Sequence, residues 1–144
     1  MKEDPWLQEA IPTLEKWGFI VFPTSPDAYH FGNWVLPAAR DNVALRLIRD
    51  RGPVHLDLMP RARFKLPVRN PESDWYTWDV VGEALRIPPP TNRVFSLEWL
   101  HGSLPVINDA FAPENWERTR ELLSRVEEDK RRRFTEGRRV PAHA

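Results

Sequence analysis

Apolar and polar positions alternate with a period of two through residues 42–59, NVALRLIRDRGPVHLDLM. Val43, Leu45 and Leu47 alternate with Ala44, Arg46 and Ile48; after Arg49-Asp50-Arg51-Gly52, Val54, Leu56 and Leu58 alternate with His55, Asp57 and Met59. One period on both arms of an Asp- and Gly-bearing turn predicts a β-hairpin over 43–49 and 54–59. Pro53 fits the start of its strand, where a missing N–H costs little. Two apolar runs upstream predict further strands at 19–22 (FIVF) and 31–37, with Gly32 at a bulge and Pro37 at an edge or terminus. Ala39-Arg40-Asp41-Asn42 then turns into the hairpin, and the short connections favour antiparallel order.

Elsewhere the period lengthens to that of a helix. Across 4–17, Leu7, Ile11 and Leu14 share a face, Asp4 is placed to cap, Pro5 takes the first position, and Gly18 ends the element. Pro12 predicts a kink there or a fresh start near Ile11. Thr77 is a candidate cap for a helix to about Arg86, carrying Val80, Val81, Ala84 and Leu85. Ser96 caps a third helix to about Phe111, with Gly102 and Pro105 as weak points. Ala112-Pro113-Glu114 opens a fourth that fades near Phe134, acidic first and basic last, as the helix dipole favours.

These elements predict an α+β fold: a four-stranded antiparallel sheet packed by the N-terminal helix and the mid-chain helix, with C-terminal helices alongside. One domain over 1–136 is expected, its sheet-bearing part (1–87) separated from a helical part (91–136) by the stiff Pro88-Pro89-Pro90 spacer. Residues 137–144 are expected to be a disordered tail. Residues 60–73, with three prolines and four basic side chains, predict an exposed loop.

Composition narrows the function classes. The 144 residues contain no cysteine, which excludes disulfides, thiolate metal sites and a cysteine nucleophile. No apolar run approaches the roughly 20 residues that span a bilayer, so no membrane association and a cytoplasmic location are expected. Formal net charge is zero, unlike a general nucleic-acid binder, yet residues 40–69 hold eight basic against three acidic side chains. That local excess suits an acidic partner, and equally suits arginines solvating a sheet face.

Motifs for chemistry are sparse. His30, His55, His101 and His143 stand in no metal-ligand spacing, and the six glycines are isolated, so neither a metal nor a phosphate-binding cofactor is expected. His55 and Asp57 share a strand face, an arrangement more often structural than catalytic. The chain is therefore expected not to be an enzyme; the opposite view requires a concave pocket gathering His55, Asp57 or His30 with other polar groups.

Seven tryptophans are the least ordinary feature. Trp75, Tyr76 and Trp78 follow the basic loop directly, and aromatics beside arginines suit a protein interface. Packing between sheet and helix explains Trp75 and Trp78 equally well. The candidate partner-binding residues are Arg49, Asp50 and Arg51 at the hairpin tip, Arg61 and Arg63 in the loop, and Trp75, Tyr76 and Trp78. An alternative assigns Arg61, Arg63, Lys65 and Arg69, with Trp75 and Trp78, to single-stranded nucleic acid.

Trp17-Gly18-Phe19, Phe31-Gly32-Asn33, LRLIRDRG at 45–52 and Trp75-Tyr76 together resemble small bacterial α+β proteins encoded beside polymorphic toxins. Many of that group are immunity proteins. The resemblance spans roughly residues 6–86, and it implies a non-catalytic module that binds another protein, a cognate toxin, and blocks it by steric occlusion. Such proteins recognise partners through divergent surfaces, so it carries no binding residues across.

Overall fold

The hairpin forms with its two arms in the register that the alternation requires. In the computed structural model, which describes residues 4–23, 33–50, 52–66, 75–92 and 95–138, β3 (Val43–Arg49) pairs antiparallel with β4 (Val54–Pro60), Leu45 opposite Leu58 and Leu47 opposite Leu56. The other elements are α1 (Pro5–Lys16), β1 (Ile20–Val21), β2 (Trp34–Arg40), β5 (Tyr76–Thr77), α2 (Trp78–Ala84), α3 (Leu97–Ala110) and α4 (Trp116–Arg138). The fold is α+β, with an antiparallel sheet in the order β1-β2-β3-β4-β5.

The sheet has five strands rather than the expected four. The addition is Tyr76–Thr77, which pairs with Leu58 and Asp57 of β4. Two residues are too few to show a period in sequence, and the pairing is imposed by the neighbouring strand. A second correction concerns β2, which runs past Pro37 to Arg40, leaving Asp41 and Asn42 as the turn. Asp41 takes a left-handed φ of 51°, which aspartate tolerates better than most residues. Pro37 is accommodated because its backbone faces β1: the Phe22 N–H donates to the Pro37 carbonyl at 2.9 Å, and no donor is asked of the proline. Phe31 and Gly32, expected to begin this strand, lie outside the described residues, as do 139–144 of the expected tail.

Helix boundaries follow local chemistry. Asp4 accepts from the Trp6 N–H at the start of α1, Ser96 accepts from the Trp99 N–H at the start of α3, and Gly18 closes α1 with φ 88°. Pro12 does not interrupt α1. It and Gln8 are exposed, so the missing N–H falls on the solvent side of the helix. Pro105 lies within an unbroken α3 and is likewise exposed. Thr77 stands at the N-cap of α2 without capping it; its hydroxyl donates to Asp79 instead. The helix ends at Ala84, not Arg86. Ile87 N–H donates to Gly82 and Arg86 N–H to Glu83, with Arg86 at φ 57°: a Schellman closure in which an arginine holds the position usually given to glycine.

One face of the sheet carries the main core. Leu36, Leu45, Leu47, Leu56, Leu58 and Tyr76 meet Leu14 of α1, Val81 of α2, Leu100 and Ile107 of α3 and Leu123 of α4 in a single cluster. Helices on both sides of the proline triplet share that cluster. The triplet itself is fastened by Trp99, whose indole N–H donates to the Pro88 carbonyl at 3.0 Å. Among the described residues no helix is long and apolar enough to cross a membrane.

Candidate functional site

The opposite face of the sheet is built differently. Register places Ile20, Ala39, Ala44 and Met59 in one cross-strand row, and Pro37, Arg46, Asp57 and Thr77 in the next. Ala39, Ala44 and Met59 form a small second cluster, covered by Phe22, Phe64 and Trp75. The covering rings lie in sequence across the face: Phe22 to Phe64 at 5.5 Å, then Phe64 edge-on to Trp75 at 6.2 Å. Arg46 sets its guanidinium 4.5 Å from the Trp75 ring centre while its Nε donates to Asp57 at 2.8 Å. Arg46 and Asp57 are each 9% exposed, so the pair is largely removed from water.

Around this aromatic row the surface is apolar and basic together. Ile20 is 53% exposed at the end of the first row, and Leu66 is 50% exposed beyond the 3₁₀ turn Arg61–Arg63. Arg63 and Lys65 are exposed and Arg61 half-buried. Of the sequence candidates, Trp75 lies in this row, and Arg61 and Arg63 stand in the 3₁₀ turn that delivers Phe64 to it.

The remaining candidates lie elsewhere. Arg49 is committed internally: its Nε donates to Asp4 and its Nη1 to the Gly52 carbonyl, tying the strand end to the cap of α1. Asp4 also accepts from the Trp34 indole at 2.8 Å. Burial opposes the charge on Asp4, but hydrogen bonds from Trp34, Trp6 and Arg49 outweigh it and hold the carboxyl below its ordinary value. Asp50 is exposed and accepts from Asn33 Nδ2 at 3.4 Å. Tyr76 is 4% exposed and meets Trp116 edge-on, so its ring belongs to the core. Trp78 packs edge-on against Trp99 at 5.2 Å. Arg51, Arg69 and His30 lie outside the described residues.

Sequence reasoning did not single out Ile20, Phe22, Phe64 or Arg46. A signal was present: Ala44 and Met59 are apolar on the hairpin face opposite the leucines, and an apolar second face calls for a cover.

His55 does line a concave site, with partners other than those expected. A cavity of about 590 Å³ opens beside β4, walled by Trp78, Trp99, Ile87 and Pro89. His55, Asp79, Glu83 and Lys130 supply its polar groups; Asp57 is not among them. Burial opposes the charge on Asp79, but the Thr77 hydroxyl and the Lys130 ammonium outweigh it and lower its pKa. Among the described residues no three His, Asp or Glu side chains form a group able to hold a metal ion.

Compared with family models, curated proteins and solved structures, the chain has no significant match to any.

Proposed function

We propose that this chain is a non-catalytic protein-binding module that lays the aromatic and basic face of its sheet against an acidic, partly apolar surface of another protein and occludes it. In this reading it acts as an immunity-type inhibitor, the role implied by the resemblance of its motifs. The observation that carries the proposal is the row Phe22–Phe64–Trp75, rimmed by exposed Ile20 and Leu66 and by Arg61, Arg63 and Lys65. Aromatic and arginine side chains dominate binding energy at protein interfaces, because they combine large apolar area with directed polar contacts. The basic rim sets the rate of encounter with an acidic partner.

The test is co-purification with the products of adjacent genes. A stable complex is expected with one of them, weakened by Ile20→Asp or Arg63→Glu; no complex with any of them contradicts the proposal. The same basic segment suits single-stranded nucleic acid, but Arg46 already covers one face of Trp75 and competes with a stacking base. Binding to oligonucleotides with a steep salt dependence would favour that alternative, and a flat or absent response removes it.

A further inference from the structure

The cleft beside β4 has a physical character of its own. Trp78 and Trp99 stand at 67° to one another and present two differently oriented aromatic surfaces. Trp99 is held from two sides. A Cβ on Gly82 would come within 3.1 Å of Trp99 Cζ2, so the bare backbone at 82 is what lets this indole seat against α2. The bond from Trp99 to the Pro88 carbonyl holds its other side.

Asp79 and Glu83, one helical turn apart on α2, line the same cleft. Each is met by a cation from α4: Lys130 Nζ lies 3.3 Å from Asp79, and Arg133 Nη2 lies 3.5 Å from Glu83. Both distances exceed the roughly 2.7–2.9 Å of a tight charge-assisted bond. All four side chains are more than a third exposed, a setting in which an ion pair is worth about 1 kcal/mol or less. The chain thus places an alkylammonium of its own, held weakly, against a carboxylate in an aromatic-walled cavity.

We infer that this cleft is a receptor for an alkyl cation, an ammonium or guanidinium head on an aliphatic stem, with Lys130 as its resident competitor. The head lies between Asp79 and Glu83, where charge and the faces of the tryptophans both attract it. The stem covers Trp78 and Ile87. Such a group arrives either as a lysine or arginine side chain of a partner or as a free small cation. The inference stands on the cleft alone and does not depend on the other sheet face binding a protein.

The experiment titrates the full ¹⁵N-labelled chain with N-acetyl-arginine methylamide, N-acetyl-lysine methylamide and n-butylguanidinium. N-acetyl-norleucine methylamide serves as the neutral control, and the readout is the indole N–H resonances of Trp78 and Trp99. Saturable shifts are expected with the cationic probes and none with the neutral one. Tighter binding of the capped amino acids than of butylguanidinium identifies a side-chain source; the reverse identifies a free cation. Lys130→Met should tighten binding roughly two- to fivefold, the equivalent of losing a surface ion pair, and Asp79→Asn should weaken it. Lys130→Gln is carried in parallel, so that a folding defect in one variant leaves the competition measurable. Unshifted indoles, equal binding of the neutral probe, or unchanged affinity in both Lys130 variants would overturn the inference.

Discussion

Leu45, Leu47, Leu56 and Leu58 project from β3 and β4 into the helix layer and are fully buried, whereas Ala44, Arg46, Asp57 and Met59 project from the same two strands toward loop-borne aromatics. The first set removes large aliphatic side chains from water. Burying each one stabilises the fold by about 1.5–3 kcal/mol before entropy is counted. The second set buries one alanine, one methionine and an ion pair, for which desolvation and Coulomb attraction nearly cancel. Net apolar stabilisation is thus concentrated on one face, whereas the other tolerates change only where both members of its buried pair are kept or replaced together. That separation supports the proposal that the aromatic face meets a partner.

The largest expected effect would sharpen the contrast at the ion pair. Arg46→Met leaves Asp57 buried without its partner and should cost roughly 3–5 kcal/mol; the double variant Arg46→Met with Asp57→Leu should recover most of that loss. Denaturant unfolding of the single and double variants measures both. Comparable loss in the two would mean that the pair contributes stability beyond mutual neutralisation.

Next comes a direct comparison of the faces. Leu47→Ala should cost about 3 kcal/mol, as a fully buried leucine in a packed cluster does. Phe64→Ala should cost less, about 1–2 kcal/mol, because that ring is half-buried over alanines. Equal losses would break the distinction between the folding face and the face proposed for binding.

A smaller effect is expected at Asp4, and it carries a pH signature. Asn caps a helix as well as Asp, so Asp4→Asn isolates the carboxylate charge that Arg49 and Trp34 engage, and should cost about 1–2 kcal/mol at neutral pH. The folded-state pKa of Asp4 is lowered, so its contribution is fully present above its unfolded value near pH 4 and is lost as pH falls through the folded value. The variant should therefore differ from the native chain at pH 7 and converge with it in strong acid. A difference that persists unchanged at low pH would contradict the assignment.

The smallest effects belong to the rim of the aromatic face. Ile20→Ser and Arg63→Gln are exposed changes and should each alter stability by less than about 0.5 kcal/mol in thermal unfolding.

Much of the fold was legible in sequence because local rules and tertiary structure agree there. The hairpin follows from alternation through Val43–Arg49 and Val54–Pro60, and the caps at Asp4 and Ser96 and the stop at Gly18 act over a single turn. Features fixed from a distance were not legible. Tyr76–Thr77 becomes a strand because β4 offers it an edge, and Pro37 remains inside β2 because only its carbonyl faces β1. The site divided in the same way. Trp75, Arg61 and Arg63 were visible as a composition, but the covering role of Phe22 and Phe64 depends on the 42-residue separation that the register closes. Tyr76 read as a surface aromatic until its pairing turned it into the core.

The most direct test of the account is the double variant Ile20→Asp with Arg63→Glu, assayed for complex formation with the adjacent-gene product that the native chain captures, and for its melting temperature. The predicted result is loss of the complex with a melting temperature within a few degrees of the native value. Retention of the complex by the double variant would contradict the assignment of this face as the binding surface.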